Sequence, residues 1–176
     1  MLVQTNQKTE TGVMPPVSVL TFKPISLADA QGFLRKWHRS GSPTHGKFCF
    51  GAYSGNELIA ATVFVDSRGE HERVCELMCA SKHPDYRRFH ISQLLSYCCK
   101  RLKQFYDLVV TYCEIGIGAM FKGSYWCYNG MVGKGDYSLT GPRLQKGRHL
   151  YWKSINRSGM EMAESLNLQA LEYPNG

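Results

Sequence analysis

YRRFHISQLLSYCCKRLKQFYDLVVTYC, residues 86–113, is the stretch from which the fold can be read. Within it Ile91, Leu94, Leu95, Cys98, Leu102 and Phe105 recur at helical spacing, while Lys100, Arg101 and Lys103 fall on or near the opposite side. The apolar, β-branched run Leu108–Cys113 shows little alternation, the pattern of a central strand covered on both faces. Upstream, Val74–Ala80 has the composition of a strand and enters the polar loop Ser81–Arg88. A strand, a loop with a basic end, a helix and a second strand make a βαβ unit.

Toward the N-terminus, Val17–Phe22 reads as a strand, and Ser26-Leu27-Ala28-Asp29 has capping-box spacing. A helix over about 27–39 is expected there, with Leu27, Ala30, Leu34 and Trp37 on one face. Gly41, Ser42, Pro43 and Gly46 break it. Lys47–Tyr53, the turn Ser54-Gly55-Asn56 and Glu57–Val65 then form a β-hairpin, and Val74–Ala80 completes a three-stranded meander. Toward the C-terminus a short helical segment is expected over Ala119–Trp126, strands over Gly130–Gly133 and His149–Ile155, and a last helix over Met160–Leu171. Residues 1–14 lack periodicity and read as a flexible leader, which leaves 15–176 as one domain. The class is α/β, with a mixed central sheet of six to seven strands flanked by helices.

A chain of 176 residues that is 43% hydrophobic and 12% aromatic has enough apolar surface for a single core, which excludes disorder throughout. No apolar run approaches the ~20 residues that span a bilayer, and Met1–Leu20 has no basic start leading into an apolar stretch. A cytoplasmic protein without a membrane partner is expected. The seven cysteines are odd in number and lie mostly in apolar segments, as reduced buried thiols do. Cys75 and Cys79, i and i+4 on a strand, stand about 13 Å apart, too far to share a zinc ion, and no metal is expected. The net charge of +7 favours anionic partners, nucleic acid or a phosphorylated cofactor, without choosing between them.

The element order is that of the GNAT acyltransferase fold. The second half is more specific: Ile91-Ser92-Gln93-Leu94-Leu95, Val109-Val110-Thr111-Tyr112, Gly118-Ala119-Met120-Phe121-Lys122-Gly123 and Trp126 to Gly130. With Trp37-His38, Pro43 and the strand Lys47–Gly51, it resembles the bacteriophage GNAT-like proteins of the Mom type over roughly residues 18–155. The resemblance implies a phage protein in the host cytoplasm that uses acetyl-CoA or another acyl-CoA to modify the exocyclic nitrogen of adenine in DNA against restriction. The GNAT cofactor loop has the form Q/R-x-x-G-x-G/A; the corresponding stretch here, Arg87-Arg88-Phe89-His90-Ile91-Ser92, has no glycine. Two other readings stand beside it: an acetyltransferase acting on an amine of a metabolite or host protein, and a GNAT-fold binding protein that inhibits a host factor.

The resemblance assigns the cofactor to Cys79, Ala80, Ser81, Arg87, Arg88, His90, Ile91, Ser92 and Phe121. Physically, a helix start offers unpaired N–H groups and a partial positive charge, which with Arg87 and Arg88 suits a pyrophosphate. Ser92 either caps that helix or donates to a phosphate. His38, Glu114 and a tyrosine, Tyr112 or Tyr125, are the candidates for proton transfer. The rival roles are a cation at a helix C-terminus for His38 and a salt bridge for Glu114. Stretches free of acidic residues, Ala30–Asn56, Tyr86–Tyr106 and Tyr137–Met160, place Arg39, Lys47, Arg143, Lys146, Arg148 and Lys153 as a DNA-phosphate face or as ordinary solvated surface.

Overall fold

The computed structural model describes residues 19–66, 71–113, 118–133 and 147–173. The chain runs β1 (Leu20–Pro24), α1 (Leu27–Trp37), β2 (Phe48–Ser54), β3 (Glu57–Asp66), β4 (Val74–Lys82), α2 (Ile91–Leu102), β5 (Leu108–Cys113), α3 (Gly118–Lys122), β6 (Cys127–Val132), β7 (Arg148–Ser154) and α4 (Arg157–Ser165). The strands form one sheet in the order β1-β2-β3-β4-β5-β7-β6. Every neighbouring pair is antiparallel except β4 and β5, the parallel pair joined by the α2 crossover. The sheet is therefore mixed and seven-stranded, within the six to seven strands expected.

Each face has its own helices. On one, Leu94, Leu95, Cys98 and Leu102 of α2 and Phe121 of α3 pack on Phe50, Phe64, Cys75, Leu77, Val109 and Tyr151. On the other, Ala30, Phe33 and Leu34 of α1 cover Cys49, Ala61 and Val63, while Ala163 of α4 packs with Val74, Leu108, Val110 and Trp152. At roughly 1.5–3 kcal/mol for each large side chain removed from water, the three buried leucines of α2 alone outweigh any capping effect. On this second face α1 and α4 sit to either side of the β4–β5 seam.

That seam opens. The ladder between β4 and β5 has three pairs, Val74↔Leu108, Cys75↔Val109 and Glu76↔Val110, although both strands continue. At the next position the Thr111 hydroxyl, in a residue only 4% exposed, donates to the Leu77 carbonyl at 2.8 Å. A buried carbonyl without a partner costs free energy, and here a side chain supplies the bond the ladder no longer makes. Nearby, β4 has a bulge: Phe64 pairs with Leu77 and Val63 with Cys79, so Met78 is extra. One inserted residue reverses which face every later side chain takes. Leu77 packs on the α2 side, Cys79 on the α1 side, Ser81 bonds the Trp37 carbonyl at the end of α1 (2.6 Å), and Lys82 returns to the α2 side.

Element boundaries differ from the periodicity in instructive places. β1 lies at 20–24 rather than 17–22, and α1 stops at Trp37 because His38 takes an extended backbone and caps it. β6 begins at Cys127, and Gly130, φ +105, marks an irregularity inside the strand rather than its start. Helical structure after Gly118 ends at Lys122, with Tyr125 in a left-handed conformation at φ 58. α4 starts at Arg157, since Asn156 caps it by accepting from Gly159 N at 2.9 Å. Gly159 lies so close to the start of β5 that a Cβ there would stand 2.0 Å from the Asp107 carbonyl oxygen. The chain then leaves the helix and bonds Tyr128 through Leu171 N (2.7 Å) at the edge strand β6. Residues 1–14 lie outside the described residues. Among the described residues no helix is long and apolar enough to cross a membrane.

Candidate functional site

At the open end of the β4–β5 seam, the α1 face and the α2 face present different chemistry. On the α2 face the chain leaves Lys82, passes through the loop 83–90 and starts α2. His90 is the N-cap but makes no side-chain capping bond, and the first turn carries no acidic residue. The N–H groups of Ile91 and Ser92 have no intrahelical acceptor, so this helix start is open to an anion. Arg87 and Arg88 are exposed beside it, His90 is exposed and Ser92 half-buried. Ser92 lies in the first turn rather than at the N-cap, which His90 occupies without a side-chain bond. No residue from His83 to Ser92 has a positive φ, and His90 sits at φ −101, ψ 120, a conformation open to any side chain. The loop reaches the helix by a path that does not need glycine.

On the α1 face, Glu76 and Cys79 of β4 lie near Arg148 of β7, whose guanidinium donates to the Tyr112 carbonyl at the end of β5 (3.3 Å). Burial, then the Glu76 charge, pushes the Cys79 thiol up to about 11 against the opposing pull of Arg148. Burial raises all seven thiols, Cys113 to about 12, so none is a thiolate at neutral pH. His38 stands at the rim, where its Nδ1 meets the Gly41 carbonyl at 3.0 Å. A carbonyl only accepts, so Nδ1 carries a proton, and neutral His38 keeps its lone pair on Nε2. Trp37 and His83 rings, 4.3 Å apart, close the same rim.

The other sequence candidates scatter. Ala80 packs toward the α2 side and Ser81 ties β4 to α1. Phe121 is a core residue, 1% exposed and stacked on Tyr151 at 4.7 Å. Tyr125 is 88% exposed and lies near Lys153, at the closed end of the seam and away from His38 and Tyr112. Among the basic residues, Arg39 is exposed after α1, Lys47 is paired with Asp66 at 2.7 Å, Lys153 is held by the Ser124 carbonyl, and Arg148 is half-buried in the seam. These four do not line one face. Glu114, Arg143 and Lys146 lie outside the described residues. Glu76, Lys82 and Thr111 are not among the sequence candidates. A carboxylate inside the otherwise apolar strand Val74–Ala80 was the available signal for Glu76, since a charged side chain is seldom placed in a central strand.

No family model and no curated protein matches this chain. Solved structures do. The chain is similar to the ribosomal-protein-S18-alanine N-acetyltransferase from Escherichia coli, at 13% identity and TM-score 0.60, over 78% of this chain and 95% of that one. It is also similar to an acetyltransferase from Bacillus subtilis in complex with CoA, at 13% identity and TM-score 0.57, over 77% and 99%. A third, the polyamine N-acetyltransferase from Drosophila melanogaster, matches at 10% identity and TM-score 0.57, over 77% and 100%. The fold is that of the GNAT acetyltransferases.

Proposed function

We propose that this protein is an acyl-CoA-dependent N-acyltransferase whose acceptor is an amine. The observation that carries this reading is the β4–β5 seam, which opens beside the uncapped start of α2 and has a carboxylate, Glu76, on its opposite face. The fold of proteins named as N-acetyltransferases, one of them solved with CoA, supports it.

The donor set fits an acyl-CoA: Ile91 and Ser92 N–H groups with Arg87 and Arg88 would hold its phosphates, and the acyl-CoA brings an activated thioester. Main-chain N–H groups at the Met78 bulge, where the ladder to β3 is interrupted, are the donors for a carbonyl oxygen that gains charge. Glu76 takes a proton from the attacking amine, directly or through water. His38 Nε2 is the second base on that rim, and the Tyr112 phenol the further candidate for proton transfer. Because every cysteine is held as a thiol, transfer runs directly to the amine rather than through an acyl-cysteine.

The narrower reading, transfer to adenine in phage DNA, is supported by the charge of +7 and by the sequence resemblance. Nucleosides from DNA exposed to the protein and acetyl-CoA, compared by mass spectrometry with untreated DNA, test it. For the broader reading, calorimetric titration with acetyl-CoA should show binding that an Arg87→Ala, Arg88→Ala double substitution weakens at least tenfold. Equal binding by both proteins, or none by the wild type, removes the assignment.

A further inference from the structure

The cofactor-type loop lacks glycine, yet it is tightly folded, and what it folds around is Lys82. The ammonium donates to the Phe89 carbonyl at 2.7 Å and to the Tyr86 carbonyl at 3.4 Å. Two turn bonds, Tyr86 N to the His83 carbonyl (3.3 Å) and Phe89 N to the Tyr86 carbonyl (3.0 Å), complete the coil. The Phe89 ring is 4% exposed and anchors the last turn in the core, near Phe22. The Tyr86 hydroxyl holds the outer side by donating to Glu57 at 2.6 Å.

Lys82 reaches this position only because of Met78. Before the bulge, even-numbered β4 positions face α1; after it they face α2. Were β4 to run through Met78 with uninterrupted alternation, the Lys82 side chain would leave the sheet on the α1 side, away from the loop. The charge is also informative. An ammonium half-buried beside an uncapped helix start, with Arg87 and Arg88 nearby and no acid in the first turn, adds positive potential where the helix already supplies it. Carbonyl oxygens offset part of this charge, and an arriving phosphate would offset more.

We propose that Lys82 is a positioning residue that replaces the missing glycines: it turns the loop carbonyls inward onto its ammonium and so holds the loop's N–H groups and the start of α2 in the shape that receives a pyrophosphate. The role rests on the acyl-CoA reading above, and it acts through the backbone rather than on the reacting atoms.

Lys82→Met keeps an unbranched side chain one atom shorter and removes all three donors. Two measurements on the full chain separate the possibilities. Hydrogen exchange without ligand should rise at least tenfold at residues 83–92 in Lys82→Met while β2, β3 and β5 stay protected; Lys82→Arg, which keeps donors for both carbonyls, should restore most of the protection. Calorimetric affinity for CoA should fall tenfold to a hundredfold in Lys82→Met, whereas affinity for pantetheine, which has no phosphate, should be unchanged. Unchanged loop exchange, or equal losses for CoA and pantetheine, overturns the proposal. Exchange that rises across the whole sheet assigns Lys82 to general stability and overturns it as well. If wild type binds neither ligand while the loop still loosens in Lys82→Met, the acyl-CoA reading fails and the loop-holding part of the inference stands.

Discussion

Thr111→Val tests the idea that the seam is opened by a specific device rather than by the absence of neighbours. Threonine and valine have nearly the same shape, so the packing of this 4%-exposed residue is preserved and only the hydroxyl is lost. The Leu77 carbonyl then loses its donor at 2.8 Å, just past the last ladder pair, Glu76↔Val110. A buried acceptor left without a partner costs roughly 1–3 kcal/mol. Against a total stability of about 5–15 kcal/mol, that is a measurable fraction. At about 2–4 °C per kcal/mol for a chain of this size, Tm should fall by roughly 2–12 °C. Thr111→Ser, which keeps the hydroxyl, should recover more than half of the loss. Acetyl-CoA affinity, measured well below the melting range, should weaken in Thr111→Val and recover in Thr111→Ser, because the first open position of the seam is the one perturbed. A Thr111→Val protein as stable as wild type, or a serine variant no better than the valine one, would show that the hydroxyl does not hold the Leu77 carbonyl at the seam.

The Asp107 carboxylate gives a pH prediction. Hydrogen bonds from Arg73 hold it below the usual carboxylate range, burial opposes them, and Asn156 at the cap of α4 adds a further lowering bond. A depressed folded-state value means stability that is complete above about pH 4 and is lost as pH falls through the lower folded value, so Asp107→Asn should cost about 1.5–3 kcal/mol in urea unfolding at pH 7 and much less at pH 2. Cys79→Ser should retain turnover, and intact-protein mass spectrometry after incubation with acetyl-CoA should find no acetyl group on the wild-type chain. An acetyl-cysteine would contradict direct transfer. Gly159→Ala, whose Cβ would meet the Asp107 carbonyl oxygen, should lower stability by at least 1–3 kcal/mol by moving α4 off β5, seen as lost protection of Leu108 and Ile155 in hydrogen exchange.

The central βαβ unit was legible because α2 and β5 report packing in two different periods, 3.6 for one face of the helix and an unbroken apolar run for the covered strand. α1 was legible for the same reason, with Ser26 accepting from Asp29 N at 3.0 Å as its spacing implies. α4 was misplaced because its start depends on Asn156, and its glycine is required by a neighbouring carbonyl that sequence order does not reveal. The site was legible in part. A basic loop entering a helix is a local pattern, whereas which face of β4 carries Glu76, Ser81 and Lys82 depends on the Met78 bulge, and nothing in the residue types Leu77-Met78-Cys79 announces an inserted position. Tyr125 and Phe121 were assigned by their place in a familiar order, but a left-handed turn at Tyr125 and stacking on Tyr151 place one in solvent and the other in the core.

The central claim is that the open β4–β5 seam delivers an acyl group from CoA to an amine deprotonated at Glu76. It is tested most directly by incubating wild type and Glu76→Gln with acetyl-CoA and a panel of acceptors: a polyamine, a free amino acid, a peptide with an N-terminal alanine, and DNA. Free CoA and acetylated product are quantified together over pH 6–9. Expected are acetylated product from at least one acceptor, a turnover about 10²–10⁴-fold lower in Glu76→Gln with acetyl-CoA affinity unchanged, and partial recovery of the variant as pH rises and the free amine becomes more abundant. Acetyl-CoA binding with no product from any acceptor, or full turnover in Glu76→Gln, would contradict it.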